Sequence, residues 1–490
     1  MSTRPGEPAP HADPHGPYGD SPAGPPGDSP APQAPSARPG DSPKPVGPPA
    51  EPSGEPPEQK RILAVLALSQ TLSGAGLAAG ITVGALLAEE MLGSTGLSGL
   101  PAALFTGGAA LGAVGIGRVC QRWGRRPGLT AGYATAGLGS LGVVIAAALG
   151  SVWLLFLSLL VYGAGTATTL MARYAGADLA APARRGRAVS LVLFATTLGA
   201  VIGPNLVGVT GDVADGWGVP RLAGPFLLAV VAYAAAAVVL GVFLRPDPLR
   251  LARARAAAAE AEAEAEKEAE AKAEAEAREG AAEAPPASPA SPAVRADTRG
   301  IVTGTAVMTL TQLVMIAIMT MTPVHMRAHG HPTEAAGLVI ALHVAAMYLP
   351  SPLTGMLVDR IGRRRVAAAS GLVLLAAGVL AALAPAHSVP ALAAALVLLG
   401  IGWNFGLVSG TAIVTDAVPL ATRASTQGLV DVGIAVAGAT GGMASGLVVA
   451  TGGYSTLAMS GGIVALGLVP LLVLRGRAGR GVRTEDGARP

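Results

Sequence analysis

A single cysteine, Cys120, stands among 490 residues, which excludes a disulfide framework and leaves no set of thiolates for a metal. Charge is scarce as well: Asp, Glu, Lys and Arg together make up 13% of the chain, where a water-soluble domain carries about a quarter. No GxxxxGK[ST] loop is present to bind ATP, and neither GxSxG nor HExxH occurs to support hydrolysis. The start of the chain is polar and proline-rich, so no cleavable leader is expected. The formal net charge is only +3, and the basic residues sit in short arginine turns, so nucleic acid is not an expected partner.

What fills the space is apolar. Between about Ile62 and Leu474 the chain is a series of Ala-, Leu-, Val- and Gly-rich runs separated by short charged clusters. Each run is about 20 residues, the length a helix needs to cross the hydrocarbon of a bilayer. Backbone groups in lipid must be satisfied within the protein, so such runs read as helices, whereas a barrel would show shorter alternating segments. Twelve spans are expected, making an all-α membrane protein. Arg118, Arg122, Arg125, Arg126, Arg184, Arg185, Arg187, Arg360, Arg363, Arg364, Arg365 and Arg423 all fall in turns of one side. That bias predicts an inner (cell) membrane protein with both termini cytoplasmic. Residues 1–57 form a Pro/Gly-rich tail too poor in apolar side chains to fold. Helical bundles are expected over 58–245 and 300–475, joined by a linker over 246–299 and followed by a tail over 476–490. The linker is nearly all Ala and Glu in its middle, helix-forming but without an apolar face, so it reads as a solvated spacer.

One register relates the two halves. GRVCQRWGRR begins at Gly117 and GMLVDRIGRR at Gly355, a separation of 238. Asp178 and Asp416, Arg185 and Arg423, Gly203 and Gly441, and Gly208 and Gly446 repeat that separation. The chain is therefore a duplication with both copies in one membrane orientation, an architecture used by alternating-access carriers. GMLVDRIGRR resembles the signature loop of the major facilitator superfamily, with Gly355, Asp359, Arg360, Gly362 and Arg363 matching it. The first copy keeps Gly117, Arg122, Gly124 and Arg125 but has Gln121 at the acidic position. The resemblance implies two pseudo-symmetric six-helix bundles, and a gate whose Asp and Arg contacts hold one side shut. GAVIGPNLVG, with Gly199, Gly203, Pro204 and Gly208, is similar to the motif of that superfamily's drug/proton antiporters. It implies a bent, closely packed helix at the interface of the halves. Ser190 and the single Gly208 depart from that motif. The buried arginine many such antiporters carry in the fourth span is also missing until Arg173, near the cytoplasmic end.

Ionisable residues inside a span are costly and default to functional readings. Asp431 is the first candidate proton-coupling residue, or else a structural partner for Arg423. His343 is the second, against the plainer reading of a helix-packing hydrogen bond. Met308, Gln312, Met315 and Met319 share one face of the seventh span. They suit a cavity wall for apolar substrates, and so do Trp403, Asn404 and Gln70, although lipid or a neighbouring helix would serve equally. His325, His329 and His331 crowd one outer turn without a Cys or carboxylate beside them, and no metal or other cofactor is expected.

The expected activity is secondary transport of a small molecule by a monomer, not catalysis. The antiporter resemblance implies proton-coupled efflux of apolar or amphipathic compounds. Proton-coupled uptake is the alternative, and a non-transporting membrane sensor the remote one.

Overall fold

A computed structural model describes residues 56–92, 100–278, 296–470 and 472. The expected N-terminal tail, the Pro/Ser/Ala part of the linker and the C-terminal tail lie outside the described residues, as does the side chain of Pro204.

Among the described residues the chain is helical throughout, without a strand. Nine helices among the described residues are long and apolar enough to cross a membrane. The first group comprises α1 (Pro57–Leu92), α2 (Leu100–Trp123), α3 (Arg125–Leu149), α4 (Val152–Ala177), α5 (Arg185–Asn205), α6 (Val207–Gly216) and α7 (Gly224–Phe243). Then comes the linker helix α8 (Pro248–Arg278), followed by α9 (Thr298–Ala328), α10 (Thr333–Tyr348), α11 (Ser351–Ile361), α12 (Arg363–Leu383), α13 (Val389–Ala417) and α14 (Arg423–Leu466). α14 is two helices joined at Gly453, whose φ of 80° breaks the helical course. Each group packs its own apolar core, one centred on Leu129, Tyr133, Tyr162 and Tyr233, the other on Met315, Leu374, Leu399 and Trp403.

The bundles meet through α2 against α14 and α5 against α11. Close approach explains the signature glycines. A Cβ on Gly355 would lie 2.7 Å from the carbonyl oxygen of Gly186 on α5, and one on Gly117 would lie 3.2 Å from that of Ala424 on α14. The second glycine of each loop answers a different need. Gly124 and Gly362 precede α3 and α12 with φ of 97° and 103°, a region closed to most side chains, and the chain reverses there into the next helix.

The start of the linker is anchored to the first bundle. Leu249 and Ala252 join the core of the first bundle, Asp247 caps the start of α8 through the N–H groups of Leu249 and Arg250, and Arg255 pairs with Glu58 at 3.0 Å. Only the Ala/Glu stretch beyond is largely exposed.

Candidate functional site

The signature loops make two matching contacts between the bundles. Asp359, at the end of α11, accepts the backbone N–H groups of Gly186 (2.8 Å) and Arg187 (3.0 Å) in the first turn of α5. These N–H groups have no partner within the helix, so a carboxylate there satisfies donors and meets the positive end of the helix dipole. Gln121 does the same in the other copy. Its Oε1 accepts the N–H groups of Ala424 (3.0 Å) and Ser425 (3.3 Å) in the first turn of α14. All three residues stand 238 positions from Asp359, Gly186 and Arg187. Loss of the acid at Gln121 therefore does not lose the cap, and the amide Nε2 donates further to the carbonyl of Ala421.

Behind each cap lies an ion network, again duplicated. Arg125 donates to Asp178 at 2.8 Å with both side chains wholly buried, and Arg363 pairs with Asp416 in the second copy. Each aspartate also faces an arginine of the opposite half: Arg423 lies 3.9 Å from Asp178, and Arg185 pairs with Asp416. Asp178 and Asp416 were visible in the sequence only as markers of the repeat. Their spacing from the arginines was the signal, legible once both copies are superimposed. Arg122 and Arg360 stand outside this network. Both are exposed, and the Arg122 guanidinium lies 5.3 Å over the ring of Trp123. Arg253 of the linker had no signal in the sequence. It donates to the carbonyls of Gln121 (3.0 Å) and Leu420 (3.1 Å), one on each side of the seam.

Deeper in, Asp431 and Arg173 join the bundles. Arg173 Nη2 donates to Asp431 Oδ1 at 2.6 Å, with both side chains almost wholly enclosed. The same nitrogen reaches the Tyr174 hydroxyl at 2.9 Å, and Tyr174 donates to Asp431 Oδ1 at 3.3 Å. The partner is not Arg423, which lies on the Asp178 network and donates Nε to the carbonyl of Val418 at 3.3 Å. Arg173 lies four residues before the end of α4, as expected, and is fully buried. Its Nε donates to Thr411 Oγ1 at 2.9 Å, and Thr411 is the repeat equivalent of Arg173 itself, 238 positions on. Residues that touch their own repeat equivalents lie beside the axis relating the copies, so the ion pair sits between the bundles. Asp431 Oδ2 is buried and has no hydrogen-bond partner among the described residues.

The other candidates divide. Trp403 donates its indole N–H to Gln312 Oε1 at 2.7 Å; Met315 is buried and Met319 partly so. Asn404 is fully buried, its Nδ2 donating to the Met347 carbonyl and to Ser351 Oγ at 2.7 Å each. It spans the break between α10 and α11. Gln70 is likewise buried, donating to the Thr169 carbonyl (2.9 Å) and Thr196 Oγ1 (3.0 Å) and accepting from Tyr133. These two amides tie helices of one bundle together. His343 is buried with Nδ1 2.7 Å from the Leu396 carbonyl, while Nε2 has no partner among the described residues. His325 stacks on Tyr454 with ring centroids 4.3 Å apart, and no group able to hold a metal occurs among the described residues.

Two glycines of the α5 motif have described surroundings. A Cβ on Gly199 would lie 2.0 Å from the Thr71 carbonyl of α1, within the same bundle, and one on Gly208 would meet nothing within 4 Å. The helix does break at Leu206, just beyond Gly203, and the close neighbour at Gly199 is α1 of the same bundle.

Comparison with known proteins agrees with this architecture. The family model described as Major Facilitator Superfamily matches residues 66–332 and 303–489. The chain is 53% identical over 422 residues to the uncharacterized MFS-type transporter YdeG of Bacillus subtilis, covering 85% of this chain and 93% of that protein. It is 30% identical over 422 residues to the riboflavin transporter RfnT of Brucella anthropi, covering 84% and 96%. Among solved structures, the human organic anion transporter MFSD10 (TETRAN) shares the fold with a TM-score of 0.65 at 16% identity, over 85% of this chain and 100% of that one. With its duplicated signature loops and paired bundles, the chain belongs to the major facilitator superfamily and is a multi-pass membrane transporter, not an enzyme.

Proposed function

We propose that this protein is a proton-coupled exporter of small apolar or amphipathic compounds, working as a monomer through alternating access. The observation that carries the reading is the Arg173–Asp431 pair: a buried carboxylate joining the two bundles, with one oxygen uncommitted. A buried ion pair is held by its mutual attraction, and removing one charge leaves the other stranded. Protonating Asp431 at Oδ2 therefore releases Arg173 and weakens the link between bundles on the side where the signature loops close. We assign that side to the cytoplasm from its arginine excess, place both termini there, and read α1, α5 with α6, and the two parts of α14 among twelve spans. A proton arriving from outside then favours opening to the cytoplasm, and its release inside lets the pair re-form. Exchange of a proton for an outbound substrate follows.

The α5 motif supports export, and the riboflavin transporter supports a flat amphipathic compound as a first candidate. Everted vesicles with an acidic lumen, so that protons leave as substrate enters, and a panel including riboflavin test both. Accumulation inside these vesicles, lost in Asp431→Asn, is the expected result. Movement in the opposite direction, or transport by Asp431→Asn that follows the gradient unaltered, rejects export or proton coupling respectively.

A further inference from the structure

On the side of the ion pair away from the signature loops, α9, α10 and α13 bring three side chains together. On α13, Trp403 stands eight residues from Thr411, roughly 12 Å along the helix. Its ring is enclosed and meets Tyr348 edge to face, with centroids 5.6 Å apart and planes at 78°. Trp403 spends its N–H on Gln312 Oε1, which fixes the glutamine amide and leaves Nε2 free to donate. Tyr348 ends α10 and is only partly buried. Asn404, the neighbour of Trp403, clamps the chain just before and after Tyr348 by bonding the Met347 carbonyl and Ser351. The tyrosine ring is thus held from behind by an indole and from its own backbone by an amide. In the first copy the position equivalent to Trp403 is Gly165, so this platform belongs to one bundle alone.

We propose that Tyr348, backed by Trp403 and flanked by Gln312, is the specificity-determining ledge of the transport path and selects substrates with a flat heteroaromatic ring carrying a carbonyl edge. The ring stacks on Tyr348 while the carbonyl accepts the Gln312 Nε2–H, a division of labour common to small-molecule sites. The proposal rests on the transport reading above and names its substrate class.

Trp403 supplies its own probe. The other three tryptophans, Trp123, Trp153 and Trp217, are 50%, 84% and 70% exposed, so W123F/W153F/W217F leaves Trp403 as the sole reporter. Lumichrome, a flat tricycle with an imide edge, is titrated against this protein in nanodiscs, with 1-adamantanol as a compact apolar control and a fourth Phe at position 403 as the optical blank. Saturable quenching by lumichrome is expected, with 1-adamantanol failing to compete. Affinity should fall about tenfold in Tyr348→Ala and in Gln312→Leu, and change little in Tyr348→Phe, which keeps the ring. Non-saturable quenching, equal competition by 1-adamantanol, or unchanged affinity in Tyr348→Ala with an unaltered melting temperature overturns the ledge. The binding measurement needs no gradient. Tyr348-dependent binding alongside a gradient-driven Asp431→Asn would sink the coupling reading alone, and the reverse pattern would sink only the ledge.

Discussion

Replacing Asp359 with asparagine tests the gate most directly, because the structure separates what the charge does from what the shape does. The carboxylate accepts two N–H groups at the start of α5, at 2.8 and 3.0 Å. A hydrogen bond to a charged group contributes about 1.5–3 kcal/mol, a neutral one about 0.5–1.5 kcal/mol. A negative charge at a helix N-terminus adds about 0.3–1 kcal/mol. Asparagine keeps one acceptor and turns an amine toward the second donor. The Arg187 pair contributes little, since it spans 3.9 Å and the arginine side chain is 46% exposed. The closed gate should therefore lose about 2 kcal/mol, roughly a thirtyfold shift toward opening. Ser190 offers the reporter. It is fully buried on α5, and its hydroxyl lies 2.6 Å from where a Cβ on Gly355 would sit. In a Cys120→Ser, Ser190→Cys background, maleimide labelling in nanodiscs follows the open population. Labelling should quicken roughly thirtyfold with Asp359→Asn, in line with that shift. A rate within about threefold of the parent, at equal melting temperature, would refute the capping argument, because a lost charge-assisted bond alone is worth more than that.

Further expectations concern the other partners of the seam. Gln121→Ala should also open the gate, and Gln121→Glu should not rescue it, because a carboxylate would face the Ala421 carbonyl that the amide now bonds; the same labelling assay reads both. Arg173→Ala should lower the melting temperature strongly, as breaking a buried pair costs about 3–5 kcal/mol. The double variant Arg173→Ala, Asp431→Ala should recover part of that loss by removing the stranded charge. Arg253→Ala should raise the labelling rate about tenfold, since two carbonyls on opposite bundles lose a charged donor; an unchanged rate would reduce the linker helix to a passive tether.

Length, composition and repetition are local or one-dimensional properties, and they determined a great deal here. Apolar runs long enough to cross a bilayer dictated helices, because lipid leaves the backbone no other partner. The separation of 238 between Gly117 and Gly355 revealed the duplication, since a repeated unit folds the same way twice. The glycines at 124 and 362 were legible only as members of the repeated loop. What the sequence left open is where the copies differ and touch. Asp431 is 258 positions from Arg173, and its repeat equivalent is Leu193, so no symmetry argument pairs the two. Gln121 looked like a missing acid until its oxygen met the start of α14. Both outcomes depend on how two bundles press together across a seam, and neither helical periodicity nor composition carries information about a surface formed by segments so far apart in the chain. Tertiary packing alone chose those partners, because burial obliges each charged or amide group to find whichever complementary group the seam brings within reach.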